Sequence, residues 1–283
     1  MIHIITDSVS DLLPQEASSI GVEVLPLHVQ FGKESFEDNV TITREEFFDR
    51  LAKAEELPKT SQVTPDAFHV AFRRALDRGD EVLAITASSE LSGTHQSAVI
   101  ARNDLPIKER ERVRLVDTLT VSLGESILVH EAARLRGIGE SLETIQKALL
   151  TLIPHQKLMV LIDDLKYVVM GGRLSTVGAK VGTILHLKPI VCVKAGKIEM
   201  AGLTRGIRNA YEWLMQQLKD APPDPLYPVH FASSQAAQAL ESFKAYLKDR
   251  NMLPPVIRTM GVGAVVGTHA GPGCLAIGWI RKP

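Results

Sequence analysis

The sequence predicts an α/β fold, with an N-terminal parallel-sheet α/β domain followed by a second, α+β domain. Three observations carry this. Short apolar runs alternate with amphipathic stretches of helical period through the first half of the chain, which is the pattern of a parallel sheet covered on both faces. Pro154 then interrupts the alternation. Beyond it, two strand-like runs flank "KAGK" in "KPIVCVKAGKIEMAG", a hairpin signal where the first half has crossovers. The expected domains are therefore 1–155 and 156–283.

Taken in order, "IHIITDS" is an apolar run ending in polar residues, and "SDLLPQEASSIG" reads as a helix closed by Gly21. "VEVLPLHVQF" returns as a strand, and the polar turn "GKESFEDN" leads to "TREEFFDRLAKA". There Thr43 and Glu46 have the spacing of a capping box. "LPKTSQ" is a hydroxyl-rich loop before a helix with Thr64 as N-cap, Pro65 in its first turn and Gly79 at its end. "EVLAITA" is the next strand, "THQSAVIAR" a helix, "RVRLVDT" a strand, and "TVSLGESILVHEAARLRGIG" and "SLETIQKALLTLI" are helices. The second domain opens with "LMVLIDD" and the Gly-rich "VVMGGRLSTVGAKVGTIL". After the hairpin come the helix "TRGIRNAYEWLMQQLKDA", the connection "PPDPLYP", the strand "VHFASS", the helix "AQALESFKAYLKDR" and the apolar end "CLAIGWI".

Bulk properties exclude several classes of function. With 45% hydrophobic and 23% charged residues and a net charge of −1, the chain has ample core material and no footprint for nucleic acid or an anionic membrane. Cys192 and Cys274 are far apart and each sits in an apolar run, so packed free thiols and a reducing cytoplasm are expected. "MIHIITDSVSD" has no positive n-region, and no run approaches the roughly 18 apolar residues of a membrane span. No stable membrane insertion is expected.

In a parallel sheet, ligands gather beyond the carboxyl ends of the strands, where helix N-termini turn unpaired N–H groups toward the crevice. "TDS", "SSELSGT" and "KTSQ" are polar corners at such places. Ser92, Gly93 and Thr94 offer hydroxyls and a backbone that a ligand can approach closely; the bland alternative is a plain N-cap. Thr60 and Ser61 are ligands or turn formers. His269, in "THAGPG", is a histidine in a loop of glycine and proline, able to reach a ligand and to titrate near neutrality. "GVGAVVG" superficially resembles a dinucleotide fingerprint, but the chain ends before the required acid. Asp163 and Asp164 read as caps or salt-bridge partners, and Arg173 and Arg205 as partners for a carboxylate, a phosphate or a surface acid. No P-loop, nucleophile elbow or metal-ligand spacing is present.

Together, "IITDSVSDL", "KTSQ", "SSELSGTHQSA", "DDLKYVVMGGRLS", "LKPIV" and "THAGPG" give a chain that resembles the DegV family of bacterial fatty-acid-binding proteins along essentially its whole length. The resemblance implies one long-chain fatty acid, such as palmitate or oleate, held between the two domains, and no cofactor. It implies that Thr60 and Ser92 bond the carboxylate, with Ser61, Gly93, Thr94 and His269 nearby and Arg205 assisting. Arg173 resembles a position that serves phosphoryl transfer or partner docking in members acting as subunits of a fatty acid kinase. Those members present the acid to a separate ATP-dependent kinase, which makes an acyl phosphate for phospholipid synthesis. His95 stands where an aromatic is common in the family. The competing readings are a stand-alone phosphotransferase or hydrolase using His269 with Asp7 or a serine, and a small-anion sensor.

Overall fold

The computed structural model describes residues 1–174 and 187–282. Positions 175–186, most of the Gly-rich stretch singled out above, lie outside the described residues. The chain begins with β1 (Ile2–Asp7), a 3-10 turn at Ser8–Ser10, α1 (Pro14–Ser19) and β2 (Val22–Leu25). Pro26 splits the strand expected over "VEVLPLHVQF". The remainder becomes β3 (His28–Phe31), which turns back into β4 (Glu34–Glu37). Next are α2 (Arg44–Lys53), β5 (Lys59–Ser61), α3 (Pro65–Asp77), β6 (Glu81–Thr86), α4 (Thr94–Asn103) and α5 (Ile107–Arg110). They are followed by β7 (Val113–Asp117), α6 (Leu123–Gly137) and α7 (Leu142–Leu152).

The first sheet has the order β2-β1-β6-β7 and is parallel throughout. Successive residues of its central strands serve opposite faces, as the strand period requires. Ile5, Val82 and Ala84 join the core with α2, α3 and α4, whereas Ile4, Leu83 and Ile85 join that with α6 and α7. The expected capping box is present: Thr43 Oγ1 accepts from Glu46 N, and the Glu46 side chain accepts from Thr43 N. "KTSQ" differs from expectation. Its first three residues are strand β5, added to the edge of a small antiparallel sheet of order β4-β3-β5, because Val29 pairs with Thr60 and gives these residues a ladder in place of a free loop.

The second half comprises β8 (Gln156–Leu161), α8 (Lys166–Met170), β9 (Leu187–Lys194), β10 (Lys197–Arg205), α9 (Ile207–Asp220) and β11 (Val229–Ser233). It ends with α10 (Ala237–Lys248), β12 (Ile257–Gly261), α11 (Ala264–Ala270) and β13 (Leu275–Ile280). These strands form a mixed sheet of order β10-β9-β8-β13-β11-β12. The β9–β10 hairpin turns through Ala195 (φ 47°) and Gly196 (φ 82°), the pair of left-handed residues a two-residue hairpin loop requires. One sheet face, with Met159, Leu161, Ile190 and Ile277, packs on α9 and α10 through residues such as Leu214 and Phe243. The other face meets α6, where Gly278 lets β13 approach: a Cβ there would stand 2.9 Å from Leu123 Cβ. Helix α6 thus lies between the two large sheets, with Leu128 in one core and Leu123 in the other.

Candidate functional site

The polar corners named from sequence converge, and buried groups explain how. Asp7, at the end of β1, accepts from Val9 N and from Ala87 N, both at 2.9 Å, which ties the β1 corner to the β6 corner. From there Ser92 N donates to Ser88 O at 3.0 Å, and Ser92 Oγ accepts from Thr94 N at 3.2 Å. That bond is a local serine turn spanning Gly93, the N-cap of α4, which itself has no side chain to cap the helix. Thr94 is buried behind Ser92, with its Oγ1 2.9 Å from Ser92 Oγ. β5 abuts this corner: a Cβ on Gly93 would lie 1.9 Å from Gln62 Oε1, and Gln62 Nε2 donates to Ser97 Oγ at 2.8 Å.

His269 lies on α11, not in the Gly-Pro loop that follows it. Its Nε2 is 3.0 Å from Thr60 Oγ1. Its Nδ1 is buried without a hydrogen-bond partner and faces Gly171, where a Cβ would come within 2.4 Å. Burial, aided by the charge of Arg173, pushes the imidazole down to about 4, so it is neutral at pH 7. A neutral ring bonded to a hydroxyl serves as donor or acceptor. Arg173 is exposed, and its Nη1 donates to Gly171 O at 2.7 Å.

These groups border a cavity of about 610 Å3 between the inner face of the mixed sheet and the N-terminal half. Thr60, Ser61, Ser92, Gly93, His269 and Arg173 all line it. Elsewhere its wall is dominated by short aliphatic side chains such as Val160, Ile162, Val191, Val193, Val262 and Val266. The size falls within the roughly 300–1,000 Å3 of small-molecule sites, and an apolar wall with a few convergent polar groups is their usual composition. Thr94 supports Ser92 from behind and is not part of the lining. Arg205, at the exposed end of β10, does not line the cavity either; its strand end carries the side chain outside the described lining. Gln62, Glu90 and Ser122 line it without standing out in the sequence. Gln62 and Glu90 are hinted at only by their positions inside "KTSQ" and "SSELSGT".

Both cysteines are free and border the cavity. Burial pushes the Cys274 thiol up to about 11 and raises that of Cys192 as well, so both are poor nucleophiles at neutral pH. Asp163 pairs with Lys188 at 2.6 Å and Asp164 with Lys166 at 3.1 Å, the ion-pair use expected of them. Among the described residues no group of three or more His, Cys, Asp or Glu is placed to hold a metal. No helix among them is long and apolar enough to cross a membrane.

Comparison with known proteins adds an independent finding. A family profile described as "Uncharacterised protein, DegV family" matches residues 1–282. A DegV domain-containing protein of Caldanaerobacter subterraneus subsp. tengcongensis is 32% identical over 99% of each chain. Among solved structures, a Thermus thermophilus protein described as "Fatty Acid Binding of a DegV family Protein" superposes with a TM-score of 0.89 at 30% identity, covering 99% of both chains. A fatty acid binding DegV family protein from Streptococcus agalactiae gives a TM-score of 0.87 at 25% identity, over 100% of this chain and 99% of that one.

Proposed function

The chain belongs to the DegV family, and from that premise we propose that it binds one long-chain fatty acid, such as palmitate or oleate, in the cavity between its halves. Thr60, Ser61, Ser92, Gly93 and His269 form the carboxylate end of the site, and Thr94 acts through Ser92. The observation that carries this reading is a single cavity in which Thr60, Ser92 and His269 border a wall that is otherwise largely aliphatic. Uncharged hydroxyls and a neutral imidazole can bind a carboxylate without a resident counter-charge. The tail supplies most of the affinity: burying about 15 methylenes at roughly 0.8 kcal/mol each gives a gross drive near 12 kcal/mol before the costs of association.

The proposal extends to presentation. Arg173 is exposed and also borders the cavity, so it is available both to the acid and to a partner arriving from solvent. The protein is then a cytoplasmic carrier subunit that offers the carboxylate to an ATP-dependent fatty acid kinase for acyl phosphate formation. His269 is paired with Thr60, while Asp7 is occupied by two backbone amides, so the imidazole has no carboxylate from Asp7 to orient it as a general base.

Native mass spectrometry of gently purified protein tests the binding step: the expected spectrum carries the mass of one fatty acid. Protein that is empty and also refuses palmitate and oleate contradicts it. For presentation, incubation with ATP and palmitate should consume the acid only when a kinase-containing fraction is added. Acyl phosphate formed by the pure chain would favour a stand-alone enzyme.

A further inference from the structure

Helix α11 carries His269 and two of the cavity's valines, Val265 and Val266. Its N-cap is Gly263, which has no side chain with which to cap the helix. The caps come instead from distant parts of the chain. Asp11 Oδ1 accepts from Gly263 N at 2.7 Å, Asp38 Oδ1 from Ala264 N at 3.1 Å, and Asp38 Oδ2 from Val265 N at 3.4 Å. His269 stands one helical turn beyond Val265, on the same face.

The helix is held at further levels by the glycines of "GVGAVVGTHAGPG". A Cβ at Gly263 would lie 2.9 Å from Asp11 Oδ1 and 3.2 Å from Asp38 Oδ2. At Gly267 it would meet Phe47 Cε1 at 2.8 Å, and at Gly271 Tyr167 Cδ2 at 2.2 Å. Arg44 Nη2 donates to Asp11 O at 2.5 Å, and Ser122 Oγ donates to Asp11 Oδ2 at 2.5 Å. Both aspartates are fully or nearly fully buried, and neither lines the cavity.

We propose that Asp11 and Asp38 are positioning residues for the head-group site: by clamping the first turn of α11 they set His269 against Thr60, and so determine how strongly the cavity prefers a carboxylate to another head. The proposal rests on the fatty-acid reading. It assigns to two carboxylates outside the cavity a role in selecting the ligand inside it.

The test compares palmitate with 1-hexadecanol, which shares its tail and lacks its charge, on the full chain and on Asp38→Asn and Gly263→Ala. The amide keeps the shape of Asp38 but loses one acceptor, and the added methyl pushes both carboxylates away. The expected result is a preference for palmitate lowered by about tenfold in each variant, with hexadecanol affinity changed by less than about twofold. The Asp38→Asn effect should also vanish in a His269→Gln background, as coupling through one residue requires. Equal weakening of acid and alcohol, an unchanged preference, or an Asp38→Asn effect that persists without His269 would each overturn the proposal. Failure of the fatty-acid reading is separable, because the unsubstituted protein would then bind neither compound, and the proposal would fall with it.

Discussion

His269 Nε2 stands 3.0 Å from Thr60 Oγ1 at the border of the cavity. The imidazole is held neutral by burial, down to about 4, and an arriving carboxylate supplies an opposite charge that favours the protonated ring. Its pKa should therefore rise by about one unit or more on loading with palmitate, as read from histidine chemical shifts across a pH titration; an unmoved value removes His269 from contact with the acid. Ser92→Ala and Thr60→Val each delete a hydrogen bond to a charged group, worth about 1.5–3 kcal/mol, so palmitate should bind about tenfold to a hundredfold more weakly. Isothermal titration with unchanged affinity would exclude the substituted hydroxyl. The hydroxyl cluster is legible in sequence because several serines, threonines and glycines recur at strand ends, although each alone also reads as a cap or a turn former. Asp11 and Asp38 are not, since a lone acid on a turn carries no sign that it will be buried against amides 252 and 226 positions away. Arg205 is marked in sequence by its place beside Gly206 at a helix start as well as by family resemblance, yet it is exposed and does not line the cavity.

At the scale of elements, α11 shows what a glycine-rich motif is for here. Gly263, Gly267 and Gly271 recur every four residues along and just beyond the helix, and each admits a close neighbour where a Cβ would collide. Gly267→Ala places a methyl 2.8 Å from Phe47 and 2.9 Å from Phe48. Overpacking of this kind costs about 1–3 kcal/mol, so the urea midpoint should fall without loss of helix content; a midpoint unchanged within error contradicts the tight contact. The sequence discounts a dinucleotide site at this motif but leaves the spacing of its glycines unexplained, and the flanking Gly-Pro pair suggests a loop for His269. Period-four glycine is a packing signal that becomes readable only when the facing side chains are known. The strands β4 and β5 escape sequence reading for a related reason. With four and three residues each, they carry too little apolar pattern to separate from turns and owe their conformation to pairing with β3. The central strands of the parallel sheet, β1 and β6, have six residues each and are largely buried, and they are evident.

At the scale of the whole molecule, the two sheets share α6, and buried titratable groups lie in and around that junction. His230, on β11, faces His130 of α6 with ring centroids 5.6 Å apart. Both its ring nitrogens lack partners, and burial pushes it down to about 3. The unfolded chain binds that proton more readily than the folded one, so the stability this group contributes is present above its ordinary value of 6.5 and is lost as pH falls toward the folded value. Asp7 and Asp11 act in the opposite sense: burial raises each to about 7, and their contribution is lost as pH rises through that value. Replacing His230 by Leu should therefore flatten the acid limb of the stability curve by on the order of 2 kcal/mol between about pH 6.5 and about 4.5. Urea titrations across that range check it, and a slope equal to that of the parent would show that His230 does not carry the effect.

The cavity gives the molecule its length scale for ligands. Each methylene buried at roughly 0.8 kcal/mol strengthens binding by about fourfold, so affinity should climb along a series of straight-chain acids until the space is filled and then level or fall. A small-anion sensor would show no such climb. The most direct measurement is a crystal structure of the protein loaded with palmitate. One acyl chain is expected along Val160, Val193 and Val262, with its carboxylate within hydrogen-bonding distance of Thr60 and Ser92. A carboxylate bound away from those hydroxyls, or a tail lying outside the space between the sheets, would contradict that placement.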